Sequence, residues 1–366
     1  MDNKSNNDLQ TQSESAAIIH GKPGFRIGIL GNYADSDETR FMITPEACGV
    51  IIEQGYQVCM EEGASVDISF TDLNYAEYGV EIVSRDQALQ ADMVLCYEPI
   101  RTPEIEKMRK GAALLCMMGH SFFERDFIEA LNRRHILSVS LDNIVSHNDE
   151  PVFSNIVSEI DGRAAIMYAQ DYLSFLGGGK GVLLAGVAGI NPCEILIIGQ
   201  GTRVASAALA GISQGAIVTV MDNDVSMLQT IKEICSDRVQ TLSIHPRVLA
   251  SKVKSADVII IDDCTRPFEL PADLRSSMKE TVYLLDLTQQ SPSLAVPRTV
   301  AMGLSNVLIN FFDEMSIKGG IDAMVASTAG LQVGIITYEG KLTDKLIASF
   351  LGLPCVDISV LLSASN

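Results

Sequence analysis

The sequence predicts an α/β protein made of two doubly wound parallel-sheet domains, the second of Rossmann type, and three observations carry that prediction. Short apolar runs alternate with helical patterns at βαβ spacing along most of the chain. The apolar run Ile195-Leu-Ile-Ile198 leads into a glycine turn, Gly199-Gln-Gly201-Thr-Arg-Val204, then an alanine-rich helical stretch and a second strand closed by Asp222. With 366 residues the chain exceeds the usual size of one such domain.

Taken in order, residues 25–30 read as a short apolar strand, followed by a polar loop at 32–40. Thr44-Pro45-Glu46 starts a helix, with Thr44 as N-cap, Pro45 at the first helical position and Glu46 in the first turn. That helix runs to Gly55. A second round follows: strand 57–61, helix 72–78, strand 81–83, helix 85–90 and strand 93–97. Helix 103–110, strand 113–118, helix 124–134 and strand 136–140 complete the series. A long helical pattern at 158–176 leads into Gly177-Gly178-Gly179-Lys180-Gly181, which matches a phosphate-binding loop only superficially. No Ser or Thr follows Lys180, and the required upstream glycine is missing. Strands near 195, 217, 241, 258 and 282 come next, then helical patterns from Leu304 to a last helix at 344–351. The first 23 residues are polar, lack the features of a signal peptide and read as a disordered tail.

Charge narrows the function classes. A formal charge of −19 repels nucleic acid and anionic membranes, so neither is an expected partner, and no apolar segment reaches the roughly 18 residues of a membrane helix. A soluble cytoplasmic chain is expected. Its 8 cysteines include no Cys-x-x-Cys pair and no metal-site spacing with His, so they read as buried reduced thiols and no metal site is expected.

The glycine turn carries the chemistry. Gly199 permits the sharp turn, and Gly201 lets backbone N–H groups approach a pyrophosphate at a helix N-terminus, where the helix dipole favours negative charge. Asp222, 21 residues after Gly201 and at a strand end, is placed to accept hydrogen bonds from ribose hydroxyls. No Arg follows it closely to receive a 2′-phosphate, which favours NAD over NADP. Val204 stands where a third glycine normally lets helix and strand pack closely, so NAD binding is expected to be weak or lost. An α/β protein that binds no nucleotide can carry the same Gly-x-Gly turn.

Several further stretches, in order, resemble the alanine dehydrogenase and nicotinamide nucleotide transhydrogenase alpha-subunit family. They are Glu38-Thr-Arg40-Phe-Met-Ile-Thr44-Pro-Glu46, Ser158-Glu-Ile-Asp-Gly162-Arg163, Gly186-Val-Ala-Gly189-Ile-Asn-Pro192, Val296-Pro-Arg-Thr299 with Leu304-Ser-Asn306-Val307, and Gly319-Gly-Ile-Asp322 with Gly340-Lys-Leu-Thr343. The resemblance covers nearly all of the chain after residue 24. It implies two α/β domains flanking a cleft: residues 24–155 plus 306–366 as substrate domain, and 156–305 as NAD-binding domain. It also implies an amino or keto acid as substrate, Arg40 holding the substrate carboxylate, Ser158 on the cofactor and a homo-oligomer. Alanine dehydrogenation is the type reaction.

The chain departs from the family at the chemistry. Tyr97 stands where a lysine precedes the Glu-Pro at a strand end, and a tyrosine carries no positive charge at pH 7. His120 is offered for the catalytic histidine but lies one position late, which in a strand reverses the face, so a pocket role and an ordinary surface histidine both stay open. After Asp286 no carboxylate remains in Leu287-Thr-Gln-Gln290-Ser-Pro292 for the family's catalytic aspartate. Only five residues separate Gln290 from Val296, too few for the loop that closes on the nicotinamide. Asp262 and Asp263 end a strand where a pyrophosphate would run and would repel it unless paired or bridged by a cation, and solvated loop acids are the alternative reading. The sequence thus supports an NAD-dependent amino-acid oxidoreductase with an altered site, with His120 and Tyr97 as the catalytic candidates. The alternative is a catalytically impaired paralogue that binds a small carboxylate or nucleotide, or serves as a partner subunit. A transhydrogenase alpha subunit is a third reading.

Overall fold

The computed structural model describes residues 24–119, 123–262 and 268–364; the tail expected over residues 1–23 lies outside them. Among the described residues the strands form two sheets. The first contains β1 (Arg26–Ile29), β2 (Gln57–Glu61), β3 (Glu81–Val83), β4 (Met93–Leu95), β5 (Ala113–Cys116) and β6 (Leu137–Ser140). The second contains β7 (Glu194–Gly199), β8 (Ile217–Asp222), β9 (Val239–Ser243), β10 (Val258–Asp262) and β11 (Tyr283–Asp286). Two late strands, β12 (Ile335–Tyr338) and β13 (Lys341–Leu342), rejoin the first sheet.

The strand orders are β13-β12-β6-β5-β4-β1-β2-β3 and β11-β10-β7-β8-β9. In each sheet the opening strand has its immediate successor on one side and a later strand on the other. Connections diverge there, between β1 and β4 and between β7 and β10, and the crevice at the carboxyl ends of such strands is where α/β sheets take ligands.

Apolar residues cover both faces of both sheets, as parallel strands require. Ile27 and Ile29 of β1 and Ile197 of β7 are almost wholly buried, each side chain contributing about 1.5–3 kcal/mol. Six of the described cysteines, Cys48, Cys59, Cys96, Cys116, Cys193 and Cys235, are buried free thiols.

The first sheet is mixed rather than wholly parallel. β12 runs antiparallel to β6, pairing Ile335 with Val139 and Thr337 with Ser138, and β13 runs antiparallel to β12. Ile335, Ile336, Thr337 and Tyr338 are all buried, and the Thr337 hydroxyl donates to the Ile136 carbonyl at 2.9 Å. A final helix, Ile358–Ala364, follows the expected one at Lys345–Leu351.

Two helices begin earlier than the sequence pattern suggested. The long helix Phe153–Leu173 starts at Phe153 because its apolar stripe starts there, with the Phe153 and Phe311 rings edge to face at 6.4 Å. The return helix Pro297–Lys318 starts at its proline, whose fixed φ suits the first turn. Thr44 does occupy the N-cap of the helix Pro45–Glu53 in extended backbone, yet its side chain makes no cap hydrogen bond. Its N–H instead donates to Ser305 Oγ on the return helix at 2.9 Å.

Val204 is fully buried in the second sheet's core. A different close approach is made by Gly162, which brings the long helix onto the helix Thr202–Ser213: an added Cβ would lie 2.2 Å from the Arg203 carbonyl oxygen and 2.8 Å from Ala207 N. The glycine-rich segment after the long helix has a structural use too. Lys180 Nζ sits 2.6 Å from Asp257 Oδ1, and Lys279 Nζ sits 2.8 Å from the same oxygen. No helix among the described residues is long and apolar enough to cross a membrane.

Candidate functional site

The loops leaving β1, β4, β5 and β6 meet the long helix, the start of the helix Thr202–Ser213 and the segment after β11 around one cleft of about 580 Å³. Arg40 and Glu38 come from the loop after β1, and Tyr97, Glu98 and Pro99 follow β4. Gly119 follows β5 and Asp142 follows β6; Ser154, Val157, Ser158 and Asp161 form the long helix's cleft-lining stripe. Those helix spacings of three and four put all four side chains on one face. Arg203, Ser291 and Leu294 close the opposite wall.

Arg40 is already engaged. Its Nε donates to Glu38 Oε1 at 2.7 Å and its Nη2 to Glu38 Oε2 at 2.6 Å, a bidentate pair in which the side chains keep only 14% and 15% exposure. The Arg40 backbone N–H also reaches Glu38 Oε1 at 2.8 Å. Asn32 holds the loop by donating from Nδ2 to the Glu38 and Arg40 carbonyls at 3.1 and 2.8 Å. Burial alone would lower the guanidinium's proton affinity, but the Glu38 hydrogen bonds and charge outweigh it, and Arg40 is held cationic.

Tyr97 lies beneath Arg40, with the guanidinium carbon 4.6 Å from the ring centroid. The residue is 5% exposed. Burial pushes its phenol far above the ordinary tyrosine range, with Arg40 pulling only partly back, so the hydroxyl stays protonated at physiological pH. A neutral hydroxyl at this place can donate one hydrogen bond and offers no charge.

The short segment expected after Gln290 forms a 3-10 turn, Pro292–Ala295, that docks on the facing loop. Thr39 Oγ1 donates to the Leu294 carbonyl at 2.6 Å, Arg40 Nη1 to Ser293 Oγ at 3.3 Å, and Ser293 N–H to Asp161 Oδ1 at 2.9 Å. Gln289 and Gln290 are exposed and do not line the cleft. Asp286 closes its own turn by accepting from Thr288 N and Oγ1 at 2.9 and 2.6 Å.

The glycine turn after β7 has the backbone geometry such a turn requires. Gly199 has φ +134°, and an added Cβ would lie 2.1 Å from the Asp262 carbonyl oxygen, so glycine is needed where β7 passes β10. Gly201 has φ +93° with open space over it, at the N-cap of a 12-residue helix. Its bare backbone leaves the helix N-terminus accessible to an anion. Asp222 is buried at the end of β8, where Oδ1 accepts from Asp224 N at 2.7 Å. Asp262 faces Arg203 Nη1 at 3.4 Å, and the same Nη1 donates to the Leu287 carbonyl at 2.7 Å. Of the residues behind the expectation of weak NAD binding, Val204 packs into the core and Asp262 is paired with Arg203.

The structure thus gathers Arg40, Tyr97 and Ser158 in one cleft and places Gly199, Gly201 and Asp222 at the carboxyl ends of β7 and β8. His120 and Asp263 lie outside the described residues. The sequence pointed neither to the grip of Glu38 on Arg40, nor to the cleft positions of Arg203, Asp161 and Asp142, nor to the contacts of buried Ser293 with Arg40 and Asp161. Only Glu38, two positions before Arg40, carried a local signal. Asp142 anchors the strand end before His120, its Oδ2 accepting from Gly119 N at 2.9 Å.

Comparison with known proteins agrees with this geometry. The family described as "Alanine dehydrogenase/PNT, N-terminal domain" matches residues 32–158, and "Alanine dehydrogenase/PNT, C-terminal domain" matches residues 165–262. An alanine dehydrogenase of Staphylococcus saprophyticus is 25% identical over 88% of this chain and 96% of its own length. One from Bacillus subtilis is 27% identical over 87% and 92%. Among solved structures, an L-alanine dehydrogenase superposes with a TM-score of 0.78 at 22% identity, covering 89% of this chain and 99% of that one. A transhydrogenase from Sinorhizobium meliloti gives 0.71 at 16%, covering 88% and 99%. The chain belongs to the alanine dehydrogenase/PNT family.

Proposed function

We propose that this protein is an NAD-dependent oxidoreductase of a small amino or keto acid, with residues 24–155 plus 306–366 as substrate domain and 156–305 as NAD-binding domain. The observation that carries the reading is the convergence of Arg40, Tyr97, Ser158 and Arg203 on one cleft beside the Gly199–Gly201 turn. NAD, when bound, supplies a hydride acceptor. The helix N-terminus at Thr202 would hold its pyrophosphate, Asp222 would accept from its ribose hydroxyls, and Ser158 would add a further polar contact. Arg40 fixes the substrate carboxylate, Tyr97 donates a hydrogen bond to the carbonyl or imine, and the docked Pro292–Ala295 turn keeps water from the inner wall. Alanine itself is a poor substrate, because Tyr97 cannot offset charge and the segment after Asp286 brings no carboxylate into the cleft to relay a proton.

The test is NADH oxidation with a panel of 2-oxo acids and ammonium. At least one acid supports turnover, that turnover falls at least 100-fold in Arg40→Ala, on the order expected for losing a bidentate carboxylate clamp, and pyruvate is slow. Absence of turnover across the panel would remove the oxidoreductase reading. It would leave the second one, a catalytically impaired relative that binds a small carboxylate, a reading favoured by the occupied state of Arg40.

A further inference from the structure

We infer that Asp161, on the long helix, is the proton-transferring carboxylate of the cleft, in the role that the segment after β11 leaves without an acid. The inference rests on the oxidoreductase reading of the cleft. Asp161 is 3% exposed, yet it lines the cleft together with Arg40, Tyr97 and Ser158. Its orientation is fixed from two sides. Gly162, the next residue, seats the long helix against the helix Thr202–Ser213, and Asp161 Oδ1 accepts from the N–H of buried Ser293 at 2.9 Å. Among the described residues no hydrogen bond is made to Oδ2. A single backbone N–H is served as well by an uncharged acceptor, without the cost of burying an ionisable group. Holding the turn Pro292–Ala295 therefore does not account for a carboxylate at this place.

The other acids of the cleft are committed or exposed. Glu38 gives both oxygens to Arg40, and Glu98 accepts from Tyr33 N at 3.2 Å and from Ser36 Oγ at 2.9 Å. Asp142 accepts from Gly119 N at 2.9 Å and from Ser140 Oγ at 3.4 Å, and Asp37 stands exposed at the rim. Arg203 on the facing helix is held by Asp262 and the Leu287 carbonyl. Burial is the largest influence on the protons of Arg40 and Tyr97, and the charge of Asp161 also acts on both, helping to keep each protonated. Asp161 thus shares one corner of the cleft with the carboxylate clamp and the hydrogen-bond donor. In oxidation of an amino acid it removes a proton from the substrate ammonium, an N–H bond breaking as its own O–H bond forms. The freed lone pair makes the C=N bond as the Cα–H pair leaves as hydride to NAD. In reduction the hydride adds to the carbon of the protonated imine, the C=N pair returns to nitrogen, and Asp161 gives that nitrogen its proton.

The experiment is steady-state kinetics of the full chain in both directions, with the 2-oxo acid of the panel that turns over fastest and with its amino acid. Wild type, Asp161→Asn, Asp161→Glu and Asp142→Asn are compared, with NADH affinity by calorimetry and thermal melts for each. Asn keeps an acceptor for the Ser293 N–H but cannot carry the proton, so Asp161→Asn is expected to lower kcat at least about 100-fold while KM and NADH affinity stay within about twofold. Asp161→Glu restores part of kcat. In oxidation the acid-side limb of the wild-type kcat profile, where the carboxylate takes up a proton and activity falls with pH, disappears in Asp161→Asn. A smaller fall in kcat, or a Glu variant no faster than the Asn one, overturns the inference. So does a loss expressed in KM, NADH affinity or melting temperature with the acid-side limb unchanged, which would make Asp161 only a support for the Pro292–Ala295 turn. Disappearance of the limb in Asp142→Asn but not in Asp161→Asn overturns it in favour of Asp142. Each of these outcomes leaves the oxidoreductase reading standing, whereas a wild type without turnover removes that reading and the inference together.

Discussion

At the scale of single residues, two of the cleft's charged groups already have partners: Arg40 enters it paired with Glu38, and Asp161 enters it bonded to the Ser293 N–H, while Tyr97 enters it as a buried neutral phenol. Gly199 is the residue with the least freedom to change. Its φ of +134° disfavours any L side chain, and a Cβ would overlap the Asp262 carbonyl at 2.1 Å. Gly199→Ala is expected to cost at least about 2 kcal/mol, combining backbone strain with forced movement of β10. Denaturant midpoints compared at constant m-value measure it, and a loss below about 1 kcal/mol would show that β7 and β10 can separate more easily than the register implies.

At the scale of elements, the sequence was most legible where local pattern and strand bounds coincide. β2 and β3 fall at the expected residues because glycine turns and polar helix starts frame them, and the five strands of the second sheet all appear near their expected centres. β12 and β13 were not legible, because β12 pairs with β6 about 200 positions away, β13 pairs only with β12, and their neighbours read as helix. The cleft was legible by motif for Arg40, Tyr97 and Ser158. Contacts such as Ser293 with Asp161, 132 positions apart, leave no trace in local periodicity. The Lys180–Asp257–Lys279 cluster is an element-scale clamp, since Asp257 also accepts from Glu194 N at 2.9 Å at the start of β7. Burial raises the Asp257 pKa, but the two lysine contacts outweigh it and hold it below its ordinary 3.8. A depressed folded-state pKa gives stability that is present above about pH 4 and is lost as pH falls through the lower folded value. Asp257→Asn should therefore destabilise the protein by about 1–2 kcal/mol at pH 7, with the difference shrinking below pH 4. Unfolding titrations at pH 7 and pH 3 check this, and an equal loss at both would assign the effect to packing rather than charge.

At the scale of the whole molecule, two sheets present their switch points to one cleft, and the turn Pro292–Ala295 ties the second unit to the loop that carries Arg40. The family relation extends over nearly the whole described chain. The chain's charge of −19 does not by itself bar an anionic cofactor, because local geometry supplies a helix N-terminus and a paired Asp262 where a pyrophosphate would run. The most direct test is calorimetric titration with NADH of the wild type and of Asp222→Ala. Sub-millimolar binding by the wild type, weakened about tenfold in Asp222→Ala by loss of the ribose contacts, is the predicted result. A wild type that takes up no NADH, with its fold intact by thermal melt, would contradict the assignment of the Gly199–Gly201 turn as a nucleotide site.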